Sequence, residues 1–169
     1  MLVIFGGLPG SGKTTIAQAL AKRLKGVYVR VDTIEQALRN SDVLKADEGP
    51  AGYVIAYGVA EDNLRLGHTV VADSVNAIRI TRDAWLSVAK RAGTRAVEVE
   101  VVCSDKAEHR RRAETRATDV EGLVKPTWDE TVNRAYEDWA TRPIVVDTAH
   151  KAVDDLVAEL AIRLERAQS

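Results

Sequence analysis

The stretch Gly7-Leu8-Pro9-Gly10-Ser11-Gly12-Lys13-Thr14 fits the spacing G-x-x-x-x-G-K-[ST], and Thr15 follows it. Glycines here admit backbone conformations that a Cβ forbids, so successive N–H groups can converge on one anion. The positive end of a following helix strengthens that field. Lys13 would then reach the outer phosphates of a nucleotide, and Thr14 would offer its hydroxyl to Mg²⁺. Gly7 to Thr15 is therefore the expected phosphate cradle, with Lys13 also assisting the chemistry.

Two carboxylates could complete a site for phosphoryl transfer. Asp32 follows the apolar run Val27–Val31, and Asp73 ends the run Thr69-Val70-Val71-Ala72. Open α/β sheets bind ligands at the carboxyl ends of their strands, where both would stand. Asp32 could serve as general base toward an attacking hydroxyl. The same residues, Asp32-Thr33-Ile34-Glu35, fit a capping box, which would make Asp32 a helix cap. Asp73 reads as the metal-side partner of Thr14. Ser74 follows it, where ATPases that do mechanical work place a water-activating glutamate, so transfer is favoured over hydrolysis. Asn76, Arg79, Arg82 and Tyr53 are candidate substrate contacts. Arg112 and Arg116 stand four residues apart on one helix face and could close on a triphosphate; Glu108 could instead pair with Arg112. Arg134 is a weaker phosphate candidate, and the three histidines lack metal-ligand spacing.

These residues need a scaffold, and the apolar pattern supplies one. Strand-like runs at Leu2-Val3-Ile4-Phe5, Val27–Val31, Thr69–Ala72, Ala96–Val102 and Ile144–Val146 alternate with helical stripes. The clearest stripe is Val153, Leu156, Val157, Leu160, Ala161 and Leu164. Such alternation predicts an α/β fold, a parallel sheet with helices on both faces. Glu98 and Glu100 are expected to reach solvent near one end of the sheet. Thr127-Trp128-Asp129-Glu130 fits a second capping box, opening a helix that carries Val132, Tyr136 and Trp139 as core anchors. Two irregular stretches, Asn40–Pro50 and Ala117–Pro126, are candidates for a substrate-side insert and for a lid over about residues 117–127. No linker or repeat divides the chain, so residues 1–169 are expected to form one domain.

Lys and Arg number 24 against 25 Asp and Glu, a net charge of −1 that gives no footprint for nucleic acid or an anionic membrane. The single cysteine, Cys103, ends an apolar strand and reads as a buried thiol in a reducing compartment. No apolar run approaches the ~20 residues of a membrane span, and the chain enters its first strand directly, so a cytoplasmic location is expected. No motif speaks to oligomeric state.

Several segments resemble known families. Arg112-Ala113-Glu114-Thr115-Arg116 resembles the R-x-x-x-R that opens the adenylate kinase lid, where arginines contact nucleotide. Val29–Glu35 resembles the second-strand motif of chloramphenicol phosphotransferase, whose aspartate is taken as the base. Val70–Asn76, Cys103–Asp105, Pro126–Trp128 and Val146–Ala149 are similar to segments of small kinases labelled AAA family ATPases. The chain thus resembles the small P-loop kinases of the adenylate-kinase-like group, with shikimate and gluconate kinases among them. That resemblance implies strand order 2-3-1-4-5, a short lid, ATP with Mg²⁺ as donor, and Thr148 and Ala149 near the adenine. It also implies transfer of the γ-phosphate to a hydroxyl of a small molecule, a metabolite or an antibiotic. A nucleoside or nucleotide kinase is the first alternative, although the substrate-domain signatures of nucleoside monophosphate kinases are not evident between residues 33 and 68. An ATP-binding switch or ATPase without acceptor is the second.

Overall fold

The aliphatic runs form five strands: β1 (Leu2–Gly6), β2 (Val27–Arg30), β3 (Val70–Asp73), β4 (Ala96–Val102) and β5 (Ile144–Asp147). Between and after them lie α1 (Lys13–Leu24), α2 (Val31–Asn40), α3 (Ala51–Arg65), α4 (Arg79–Arg91), α5 (Lys106–Thr115), α6 (Trp128–Val132) and α7 (Val153–Arg166). The computed structural model describes residues 1–41, 49–115, 122 and 125–166. Arg116 and most of the expected insert and lid therefore lie outside the described residues. All strand pairs are parallel, in the order β2-β3-β1-β4-β5 that the resemblance implied.

Alternation along the strands builds two cores. Val3, Phe5, Val71, Val99 and Val101 pack with Ile16 and Leu20 of α1 and Leu156, Leu160 and Leu164 of α7. Leu2, Ile4, Val70 and Ala72 face the other way, onto Ala56 and Ala60 of α3 and Trp85 and Val88 of α4. Strands buried on both faces need near-continuous apolar sequence, which β1 and β3 supply. Helix α3 also lies close against α2, because Gly52 has no side chain: a Cβ there would fall 2.3 Å from Glu35 Cγ. No described helix is long and apolar enough to cross a membrane.

The structure corrects three local expectations. The capping box at Asp32 does not form: α2 begins directly after β2 with Arg30 as its N-cap, which leaves Asp32 inside the first turn. The capping box at Thr127 does form, but its helix stops at Val132, short of Tyr136 and Trp139. Those two aromatics lie instead in the irregular stretch that follows. Glu98 does not reach solvent; it is buried and accepts a hydrogen bond from Thr141. A strand's alternation shows which residues share a face, but not that residues forty positions later will cover it.

Candidate active site

The phosphate loop joins β1 to α1 with Gly7, Gly10 and Gly12 at φ +143°, +82° and +91°, where L side chains are strained. A Cβ at Gly10 would also sit 2.9 Å from the Ala113 side chain, so α5 presses on the loop from outside. Helix α1 starts at Lys13 with no side-chain cap bond and no acidic residue in its first turn. Its leading N–H groups are thereby kept for an anion. His109 of α5, buried, places its Nε2 2.9 Å from the Pro9 carbonyl; as that oxygen only accepts, this nitrogen carries the proton. The far side of the His109 ring meets Trp128 edge to face at 5.2 Å.

Lys13 and Asp73 meet in the floor of the site. Lys13 Nζ donates to Asp73 Oδ1 at 2.9 Å, with side chains only 7% and 1% exposed. Tyr28 donates its hydroxyl to the other oxygen at 2.6 Å. Burial by itself would push the Asp73 carboxyl up; the Lys13 charge, with hydrogen bonds from Tyr28, Lys13 and Thr14, outweighs it and holds the group below the usual range. An ionised carboxylate touching the Thr14 hydroxyl is a pair of hard oxygen donors, which suits Mg²⁺. Tyr28 was read in the sequence only as a strand residue. It pairs with Val71, one side-chain repeat before Asp73, so the register places it diagonally across from the carboxylate.

Asp32 stands at the same end of the sheet, one strand further out. Its side chain is 30% exposed, with Arg30 Nη2 at 3.8 Å from Oδ2. Glu35 and Tyr53 are its neighbours from α2 and α3, and both carboxylates bear electrostatically on the Tyr53 hydroxyl. That hydroxyl lies against Ser74 and the backbone of Asn76; burial first, then the two carboxylates, push its pKa up.

The remaining predicted residues divide between the site and the scaffold. Arg112 donates from Nη1 to the Thr148 hydroxyl at 2.8 Å and from Nη2 to Glu108 at 2.6 Å. Thr148 in turn donates to the Ser11 carbonyl at 2.7 Å, so Arg112, Thr148 and the phosphate loop form one chain of contacts. Arg79 is exposed and pairs with Asp83 at 3.3 Å. Asn76 is fully buried and donates to the Phe5 carbonyl at 2.6 Å. Arg82 is 2% exposed and donates to the carbonyls of Asn76, Ala77, Glu137 and Asp138. Its guanidinium also lies over the rings of Trp139 at 4.0 Å and Tyr136 at 5.0 Å. Asn76 and Arg82 are thus engaged by the chain itself. Arg82→Ala should destabilise the protein by about 3 kcal/mol, read from urea unfolding, because four carbonyls and two ring faces lose one cation. Cys103 is buried and free, and burial raises its thiol.

A strand, a glycine loop with Lys13 and Thr14, and a buried carboxylate at the end of β3 define a nucleotide site on a P-loop sheet. The pattern of the AAA_33 family, described as an AAA domain, matches residues 2–143. The chain belongs to that family. Curated protein sequences give no match. Among solved structures, the APS kinase CysC of Mycobacterium tuberculosis, in complex with AMPPNP and APS, superimposes with TM-score 0.69 at 20% identity, over 97% of this chain and 96% of that one. Kti12 of Chaetomium thermophilum, in complex with ADP-AlF3, gives 0.68 at 22%, over 96% and 98%. A gluconokinase from Sinorhizobium meliloti gives 0.62 at 18%, over 99% and 97%. At such identities the likeness establishes the fold, and the P-loop resemblance read from the sequence holds at that level. The AAA_33 match ends before Thr148, so the contact from Arg112 to Thr148, just past β5, reaches beyond the family pattern.

Proposed function

We propose that this protein is an ATP-dependent phosphotransferase that moves the γ-phosphate of ATP to a hydroxyl of a small molecule. One observation carries the proposal. The partly exposed Asp32 stands just past the end of β2, beside the strand that ends in Asp73, with Glu35 of α2 and Tyr53 of α3 near it. A pure nucleotide switch needs the loop but has no use for a partly exposed carboxylate beside it.

In this reading the loop amides and Lys13 hold the phosphates, and Thr14 and Asp73 would hold Mg²⁺, which when bound neutralises charge on the triphosphate. Asp32 accepts the proton of the acceptor hydroxyl as its oxygen bonds to the γ-phosphorus. The bond from that phosphorus to the bridging oxygen breaks, and ADP leaves with the electron pair. Arg112 steadies the nucleotide side through Thr148 and Ser11. The APS kinase and gluconokinase structures are similar in fold and are kinases by name, which supports the kinase class without naming the acceptor.

The test is ADP release screened across hydroxylated metabolites and antibiotics, followed by mass spectrometry for a gain of one phosphate. ATP turnover that no acceptor changes would overturn the proposal. Arg112→Ala should raise the KM for ATP about tenfold in the same assay, because a charge-assisted link between α5 and the nucleotide side is lost.

A further inference from the structure

The turn inside the phosphate loop is of a kind that comes in two forms. Ser11 N–H donates to the Leu8 carbonyl at 3.2 Å, closing a four-residue turn with Pro9 and Gly10 at its centre. Proline at the first central position and Gly10 at φ +82° make it a type II turn. A type I turn differs by a flip of the single peptide between Pro9 and Gly10, which exchanges the directions of its C=O and N–H. Pro9 suits both forms, and glycine takes φ of either sign, so the local sequence leaves the flip open.

That peptide is trans, so its carbonyl and its N–H point in opposite directions. The Pro9 carbonyl is the oxygen that meets His109 Nε2 at 2.9 Å, on the side where α5 lies. The Gly10 N–H is therefore turned away from α5, and among the described residues no backbone carbonyl accepts it. His109 is itself held in place. It is buried, Trp128 backs its ring edge to face at 5.2 Å, and Ala113, one turn along α5, meets the loop at Gly10. A side chain that only filled this space would need bulk alone. The imidazole adds a directed N–H, and it meets the one carbonyl whose orientation sets Gly10.

We infer that His109 is a positioning residue for the donor phosphates: by holding the Pro9 carbonyl outward, it aims the Gly10 N–H into the cradle that Lys13 and Thr14 complete. Without that bond the turn is free to flip to type I and present a carbonyl oxygen to the phosphate, replacing an attraction with a repulsion. This rests on the nucleotide-binding half of the proposed function and is independent of the acceptor.

Two variants separate direction from bulk. His109→Gln carries an amide N–H at about the reach of Nε2, whereas His109→Met fills a similar space with no donor. ADP binding, measured by calorimetry, should weaken about tenfold in His109→Met and stay within about twofold of the wild type in His109→Gln. Equal affinities in the two variants, whether both near the wild type or both weakened, overturn the inference. The wild type alone carries the test if a variant fails to fold. His109 Nε2 should bear a proton in long-range ¹H–¹⁵N spectra, and the Gly10 amide proton should move downfield on adding ADP. An unprotonated Nε2 or an unmoved Gly10 amide overturns the inference. None of these readings needs phosphate transfer. ADP binding that depends on the donor at His109, with no acceptor found, keeps the inference and overturns the phosphotransferase. Transfer with ADP binding indifferent to that donor does the reverse, and a wild type that binds no ADP overturns both.

Discussion

If Asp32 is the base, Asp32→Asn should lower phosphoryl transfer by about a thousandfold and leave ATP affinity within about twofold of the wild type. The substitution keeps the shape of the side chain and removes only its capacity to take a proton. Asp32 lies outside the phosphate loop, and the contacts of Lys13, Thr14 and Asp73 do not pass through it. Nor does it cap α2, so the helix loses no side-chain bond when the charge goes. Single-turnover measurement of transfer, with nucleotide binding followed separately, checks both halves of the expectation. Transfer at the wild-type rate would assign the proton to another group or to water. Weakened ATP binding would instead make Asp32 part of the donor side.

Asp73→Asn has the second large effect, and it falls on stability as well as activity. The wild-type pair is almost sealed from solvent, so neutralising the aspartate leaves the Lys13 ammonium buried without its counter-charge. Breaking a buried pair in this way costs about 3–5 kcal/mol. Because the folded-state pKa of Asp73 is depressed, its stabilisation is complete above the ordinary aspartate value of 3.8 and is lost as pH falls through the lower folded value. The gap in unfolding free energy between wild type and variant should therefore be full near neutrality and close in strong acid. Urea melts at about pH 7 and about pH 2 read the two ends of that window. A gap that persists unchanged in acid would place the stabilisation elsewhere than in the ionised carboxylate.

The phosphate loop was legible because its chemistry is local: one strand, one turn and one helix start lie within fifteen consecutive residues, and glycine spacing reports the backbone directly. The five strands were legible for the related reason that a sheet covered on both faces demands apolar runs. Asp73 was visible as the polar residue ending such a run. Tyr28 was not, because its function appears only once β2 is laid beside β3 in register. Arg82 was read as a candidate substrate contact because it follows closely on Asp73. Four carbonyls and two aromatic rings from distant stretches surround it instead, and no local pattern announces them. Tyr136 and Trp139 escaped the helix expected of them for the same reason. A capping box marks where a helix begins, and tertiary contacts decide where it stops.

Strand β2 hands over to α2 without an intervening residue, so Asp32 is placed by the sheet itself, only two residues beyond the strand's end. The side chains that would meet the rest of the acceptor, Glu35 and Tyr53, stand a turn further along and on the next helix. In the proposed reading, proton removal and molecular choice would be carried by separate parts of the chain. A lineage could exchange the second set, and with it the compound that is phosphorylated, while the oxygen that takes the proton stays where it was. One sheet can in this way serve many acceptors without its chemistry being invented again.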